Sequence, residues 1–166
     1  HRTTDLLALA EQLAKERHAG QTDKAGAAYS MHPQRVSQGC TSDEARIAGW
    51  LHDLIEDTGT TAEELLTLGF PPDVVAAVQL DTRRADESYM DYIQRIVDAC
   101  DSQDPAVACA GRIAREVKMS DLRDNMNLDR LPTVTDTDRA RVEKYRAAYS
   151  VLENSCAPAP GIDATR

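Results

Sequence analysis

Apolar residues recur at three- and four-residue intervals along almost the whole chain, and no segment sustains the alternation of a half-buried strand. "TDLLALAEQLAKERHAG" sets Leu6, Ala10, Leu13, Ala14 and Arg17 in helical register, with Gly20 as a natural stop. "HPQRVSQGC" reads as a short helix with Pro33 in its first turn, where a missing N–H costs nothing. "TSDEARIAGWLHDLIEDT" reads as one helix opened by a Thr41/Glu44 capping box, and "TTAEELLTLGF" repeats that device with Thr61 and Glu64. "PPDVVAAVQLDTR" starts on prolines. "SYMDYIQRIVDAC" carries a stripe of Tyr89, Tyr92, Ile93, Ile96, Val97 and Cys100. Asp104 is placed to cap a long helix beginning at Pro105, and "TDTDRARVEKYRAAYSVLE" closes the series. The pattern predicts an all-α bundle of about eight helices, without internal repeat or dividing linker.

Composition narrows this little but usefully. A chain of 166 residues suits one domain, and its 42% hydrophobic content with only 4% aromatics suits aliphatic helix packing. The expected layout is an N-terminal end at 1–4, with His1-Arg2 read as an added remnant, a domain at 5–155 and a flexible tail at 156–166. A net charge of −9 repels a phosphate backbone and argues against a nucleic-acid polymer as partner. It leaves small phosphorylated substrates open. Cys40, Cys100, Cys109 and Cys156 form no paired motif, so reduced thiols and a cytoplasmic setting are expected. No apolar run approaches the ~18 residues of a membrane span.

Candidate chemistry gathers in "AGWLHDLIEDTGTT". On a helix, Ile47, Trp50, Leu51, Leu54 and Ile55 fall on one side and His52, Asp53, Glu56 and Asp57 on the other. A solvated polar face would explain such a pattern. Against that, Asp53 and Asp57 stand at i,i+4, a repulsive spacing, and no Lys or Arg lies between Arg46 and Arg83 to relieve it. A divalent cation would. His32, expected in extended backbone before Pro33, and Asp121, with Lys118 and Asn125 a turn away on either side, supply the remaining donors. Two imidazoles and two carboxylates suit Mn²⁺, Fe²⁺ or Zn²⁺ better than Ca²⁺, and four protein ligands leave positions for water and substrate.

The stretches "HAGQTDKAGAAYSMHPQRVS", "AGWLHDLIEDTGTT", "GFPPDVVAAVQLDTRR", "SYMDYIQRI" and "VKMSDLRDNMNLDRL" together resemble the HD-domain phosphohydrolases. The nearer likeness is to the (p)ppGpp hydrolase domain of the RelA/SpoT family in its small single-domain form. The resemblance spans roughly residues 5–152 and implies a single HD-type bundle. It implies metal ligands His32, His52, Asp53 and Asp121, with one ion per chain, Mn²⁺ foremost. It also implies Glu56 and Asp57 as the acidic pair handling the attacking water, Lys24 near substrate phosphates, and Asn125 and Tyr145 near the nucleoside. Lys118 is either a substrate contact or a support for Asp121. The chain departs from the family with Asp23 in place of a common Arg, without Pro before Tyr29, and with Asp81 at a usually apolar position. The implied reaction removes the 3′-pyrophosphate of (p)ppGpp, leaving GDP or GTP. Two other readings keep the same site: another nucleotide substrate, such as a phosphomonoester or a nicotinamide dinucleotide 2′-phosphate, or a catalytically idle nucleotide-binding module.

Overall fold

The computed structural model describes residues 2–22, 25–26 and 31–155. Among these residues the chain forms nine helical segments and no β-strand. They are α1 (Arg2–Arg17), α2 (Met31–Gln38), α3 (Asp43–Leu51), α4 (Leu54–Thr58), α5 (Ala62–Thr67), α6 (Pro72–Leu80), α7 (Tyr89–Cys100), α8 (Pro105–Asn125) and α9 (Asp136–Ser155). Helices α3 and α4 are the single helix expected over 41–58, interrupted at His52 and Asp53; counted together, they restore the eight expected helices.

The ends of these helices follow local chemistry. Ser88 and Asp104 accept from backbone N–H groups of α7 and α8, and Thr61 caps α5 as its sequence predicts. At α3 the cap is Ser42 rather than Thr41, its side chain accepting from Ala45 N. Glu116 of α8 displaces the expected box by taking hydrogen bonds from the Thr41 and Ser42 hydroxyls and the Ser42 N–H. A long-range carboxylate thus does the work that Glu44 would have done locally.

α8 is the organising helix. It packs against α2, α3, α6, α7 and α9, and α1 closes over α3. Its small residues allow close approach: a Cβ on Gly111 would meet Cys100 N at 2.5 Å. The core is continuous, running from Ala10, Leu13 and Ala14 of α1 through Leu51, Leu54 and Phe70 to Ile93, Ile96, Val117 and Leu152. A salt bridge from Arg17 to Glu64, with Arg17 also donating to Thr60 at 2.8 Å, ties α1 to α5. No helix among the described residues is long and apolar enough to cross a membrane.

Candidate metal centre

Helices α2, α3–α4 and α8 meet around one polar cavity of about 240 Å³, lined by His32, His52, Asp53, Glu56, Asp57, Asp81, Arg83, Tyr89, Tyr92, Lys118, Asp121, Asn125, Lys144 and Tyr145. A larger cavity of about 1100 Å³ lies among α4, α5, α6 and α8. Its lining is mainly apolar, with Ala62, Pro72, Ala76, Leu80 and Val107, and none of the candidate ligands reaches it. The chemistry belongs to the smaller, polar cavity, because the donor atoms converge there.

Adjacent residues on a continuous helix point about 100° apart. The helix is interrupted after Leu51, where Asp53 takes φ −98° and ψ −1° before α4 resumes. His52 Nε2 and Asp53 Oδ2 lie 3.3 Å apart. His52 Nδ1 donates to the Gly49 carbonyl at 2.8 Å, which leaves Nε2 facing the cavity. That Nε2 is buried and makes no hydrogen bond among the described residues.

His32 does not sit in extended backbone as expected; α2 begins at Met31 and takes His32 into its first turn. Pro33 is tolerated there because first-turn N–H groups have no intrahelical acceptor. The cost of helical backbone before proline is offset by two side-chain contacts. His32 Nε2 lies 2.8 Å from Asp121 Oδ1, and Nδ1 lies 2.6 Å from Asp124 Oδ2.

The donor atoms of His32, His52 and Asp53 all fall within 4.8 Å of one another. Asp121 Oδ1 lies beside this trio, 2.8 Å from His32 Nε2 and 3.4 Å from His52 Nε2. The two imidazole rings meet edge to face with centroids 5.3 Å apart. Burial opposes a charge on either ring, yet the carboxylates prevail. His32 is pushed up to about 9 by Asp121 and Asp124, and His52 to about 10 by Asp53 and Asp121. Carboxylates that raise two buried imidazoles against the opposition of burial make the site strongly cation-seeking. A buried Nε2 without a hydrogen bond among the described residues, set beside two carboxylates, and the nitrogen–oxygen donor set fit a borderline divalent cation.

Other expected residues also reach the cavity. Lys118 is buried and donates to Asp121 Oδ2 at 2.8 Å; burial works against its charge, but Asp121, Tyr92 and Tyr89 raise its pKa well above the usual range. Burial would likewise raise Asp121, but Lys118 and the histidines hold it far below the ordinary carboxylate range. Lys118 thus supports Asp121 while also lining the cavity. Asn125 Nδ2 donates to Asp121 Oδ1 at 3.2 Å. Tyr145 lines both this cavity and a small neighbouring one of about 130 Å³, shared with Asn125, Arg130 and Arg141. Glu56 and Asp57 stand at the exposed side. Partial burial raises the Glu56 carboxyl, the N–H of Arg83 opposes this at 3.2 Å, and Asp53 and Asp57 add to the rise. Lys24 and Asp23 lie outside the described residues, as do Tyr29, Cys156 and the tail.

Several residues in or beside the cavity were given no part in the site by the sequence. Asp124 supports His32. Arg83 and Lys144 flank the Tyr89 ring at 5.7 and 4.6 Å, giving the cavity a cationic rim. Tyr89 lines the cavity and has a buried hydroxyl without a hydrogen-bond partner among the described residues. Asp81 is buried with neither carboxylate oxygen hydrogen-bonded among the described residues, and burial raises its pKa well above the carboxylate range.

The comparisons with known proteins bear on the fold. No family model matches the chain. A solved structure of a metazoan ortholog of SpoT, described as hydrolysing ppGpp and playing a role in starvation responses, matches with a TM-score of 0.70. That match has 22% identity and covers 92% of this chain and 88% of that one. The chain therefore has the all-α fold of that hydrolase, as the sequence resemblance implied. The guanosine-3′,5′-bis(diphosphate) 3′-pyrophosphohydrolase of Spiroplasma citri is 41% identical over 63 residues. That stretch is 36% of this chain and only 8% of the relative, so most of the relative has no counterpart here.

Proposed function

We propose that the chain is a metal-dependent hydrolase that removes the 3′-pyrophosphate of (p)ppGpp, giving GDP or GTP and pyrophosphate. The observation that carries this reading is the convergence of the His32, His52 and Asp53 donor atoms within 4.8 Å, with His52 Nε2 buried and making no hydrogen bond among the described residues. The two similar proteins are both described as acting on guanosine polyphosphates. His32, His52, Asp53 and Asp121 are the proposed ligands, for one Mn²⁺ per chain. The cation would lower the pKa of water and polarise a phosphoryl oxygen.

The chain's own residues do the rest. Glu56, one turn past His52, accepts the proton of the attacking water, and its raised pKa suits a base that must later release that proton. The Arg83 N–H holds one oxygen of that carboxylate in place. Asp57 assists proton transfer to solvent. Lys118 and Asn125 fix Asp121 through hydrogen bonds to its two oxygens. Arg83 and Lys144 offer the charge that Asp23 does not, facing the phosphate groups remote from the reacting one. Tyr145, between the two cavities, packs beside the nucleoside. The acidic surface, with its net charge of −9, favours a small nucleotide over a polymer, and the reduced thiols suit the cytoplasm.

The test is product release from ppGpp in Mn²⁺, beside GTP, a nucleoside 3′-phosphomonoester and NADPH. The expected result is pyrophosphate from ppGpp alone, abolished by chelator and restored by Mn²⁺. Phosphate from the monoester or NADPH, with none from ppGpp, would move the substrate elsewhere. Binding without turnover of any of the four would make the chain a nucleotide-binding module.

A further inference from the structure

Behind His32, on the side away from His52, lies a polar cluster that the proposed reaction does not use. Asp124 follows Asp121 by three residues on α8, so both face α2. Together they meet both nitrogens of one imidazole, with Asp121 Oδ1 2.8 Å from Nε2 and Asp124 Oδ2 2.6 Å from Nδ1. The second oxygen of Asp124 is engaged as well: Arg35 Nε donates to Oδ1 at 2.7 Å, and an Arg130 guanidinium nitrogen lies 3.4 Å from the same atom. The Asp124 side chain is only 9% exposed. Arg35 is itself one turn beyond His32 on α2, so the relay from arginine to carboxylate to imidazole closes between two helices.

We infer that Asp124 is a positioning residue that sets the cation affinity of this chain by holding His32 in one tautomer and one ring orientation. The inference rests on the ligand reading above. A neutral imidazole carries one N–H and one lone pair. With Nδ1–H committed to Asp124, Nε2 is the nitrogen left to give up its proton and offer a lone pair to a cation, and it is the atom facing Asp53, Asp121 and His52. Without Asp124, the ring is free to carry its proton on Nε2 and present no donor to a cation. Arg35 keeps Asp124 in place and compensates its charge in a nearly dry setting, where an unpaired carboxylate is costly. A merely structural clamp between α2 and α8 would need neither the Nδ1 contact nor the fit of each oxygen to a different donor.

The experiment titrates Mn²⁺ into the unaltered chain, Asp124→Ala and Asp124→Asn, and records imidazole ¹⁵N spectra of the Zn²⁺-loaded unaltered chain. The expected spectrum shows His32 bound through Nε2 with a proton on Nδ1. Asp124→Ala should weaken Mn²⁺ binding about 10- to 100-fold, the usual worth of a partner behind a metal-ligating histidine, with helicity and the number of sites unchanged. Asp124→Asn, which keeps an acceptor oxygen, should recover part of the loss. A folded Asp124→Ala chain with unaltered affinity would overturn the inference, as would His32 bound through Nδ1. If Asp124→Ala does not fold, unaltered affinity in Asp124→Asn together with the Nδ1-bound spectrum would overturn it, and the weakened affinity with the Nε2-bound spectrum would uphold it. Absence of Mn²⁺ binding by the unaltered chain would overturn the ligand reading and this inference with it, and would be seen before any variant is made.

Discussion

His52 and His32 reach the same cavity by opposite means. His52 is oriented from within its own helix, by the carbonyl of Gly49 three residues earlier. His32 is oriented from across the molecule, by Asp121 and Asp124 some ninety positions away on α8. The α3–α4 side is a local device that forms wherever the interrupted helix forms. The α2 side exists only once α8 has docked. One half of the centre is therefore secondary structure, and the other half is tertiary structure.

The largest effect that tests this division is expected on the local side. Glu56→Gln keeps shape and hydrogen bonding while deleting the base, so folding and metal content should remain near those of the unaltered chain. Turnover of ppGpp should fall by roughly 10²–10⁴-fold, the usual worth of a positioned general base. Steady-state kinetics beside metal analysis will decide it. Near-normal turnover would transfer the role to Asp57.

Gly49→Ala strikes the seam between the two sides. The added Cβ would stand 2.9 Å from Ser37 Cα and 3.0 Å from Ser37 N, both backbone atoms of α2 that cannot swing away. Overpacking of this kind costs about 1–3 kcal/mol, only partly offset by the better helix propensity of alanine. Thermal unfolding should register the loss. Mn²⁺ affinity should fall too, because α2 and α3 must separate where the imidazoles converge. Lower stability with unchanged affinity would show that the His32 side tolerates displacement.

A smaller effect concerns the turn before α7, whose Arg83 N–H steadies Glu56 from outside the local device. Glu87 holds that turn by accepting from Arg95 Nε at 2.8 Å and from Arg84 N at 3.0 Å. The Arg95 hydrogen bonds, opposed by partial burial, lower the Glu87 carboxyl to about 2 from its ordinary 4.5. A carboxyl lowered by folding stabilises the fold fully above its unfolded value, and that contribution is lost as pH falls from about 4.5 toward 2. Stability measured across that window should decline less steeply in Glu87→Gln than in the unaltered chain. Identical slopes would show that the clamp contributes nothing there.

The same division explains what could be read from the chain beforehand. Helical periodicity announced the bundle because each helix buries one aliphatic face, and "HDLIED" announced its half of the centre because its donors are neighbours in sequence. The break at His52–Asp53 was hidden, since the apolar pattern runs through it without a flaw. Asp124 was hidden because "SDLRDN" reads as a solvated strip until α2 is laid against it. Tyr89 was legible only as part of an apolar stripe, because nothing in "SYMDYIQRI" tells which tyrosine has a buried hydroxyl without a hydrogen-bond partner among the described residues. Arg83 and Lys144 sit far apart in sequence and acquire a shared purpose only around that ring.

The central claim is that two differently oriented histidines serve one cation, and equilibrium metal analysis tests it most directly. The unaltered chain should hold one Mn²⁺ per chain after equilibration with the metal and removal of excess, while His52→Ala and Asp53→Ala, verified as folded, should each lose most of it. Metal content per chain that stays unchanged in either variant would contradict the assignment of this centre.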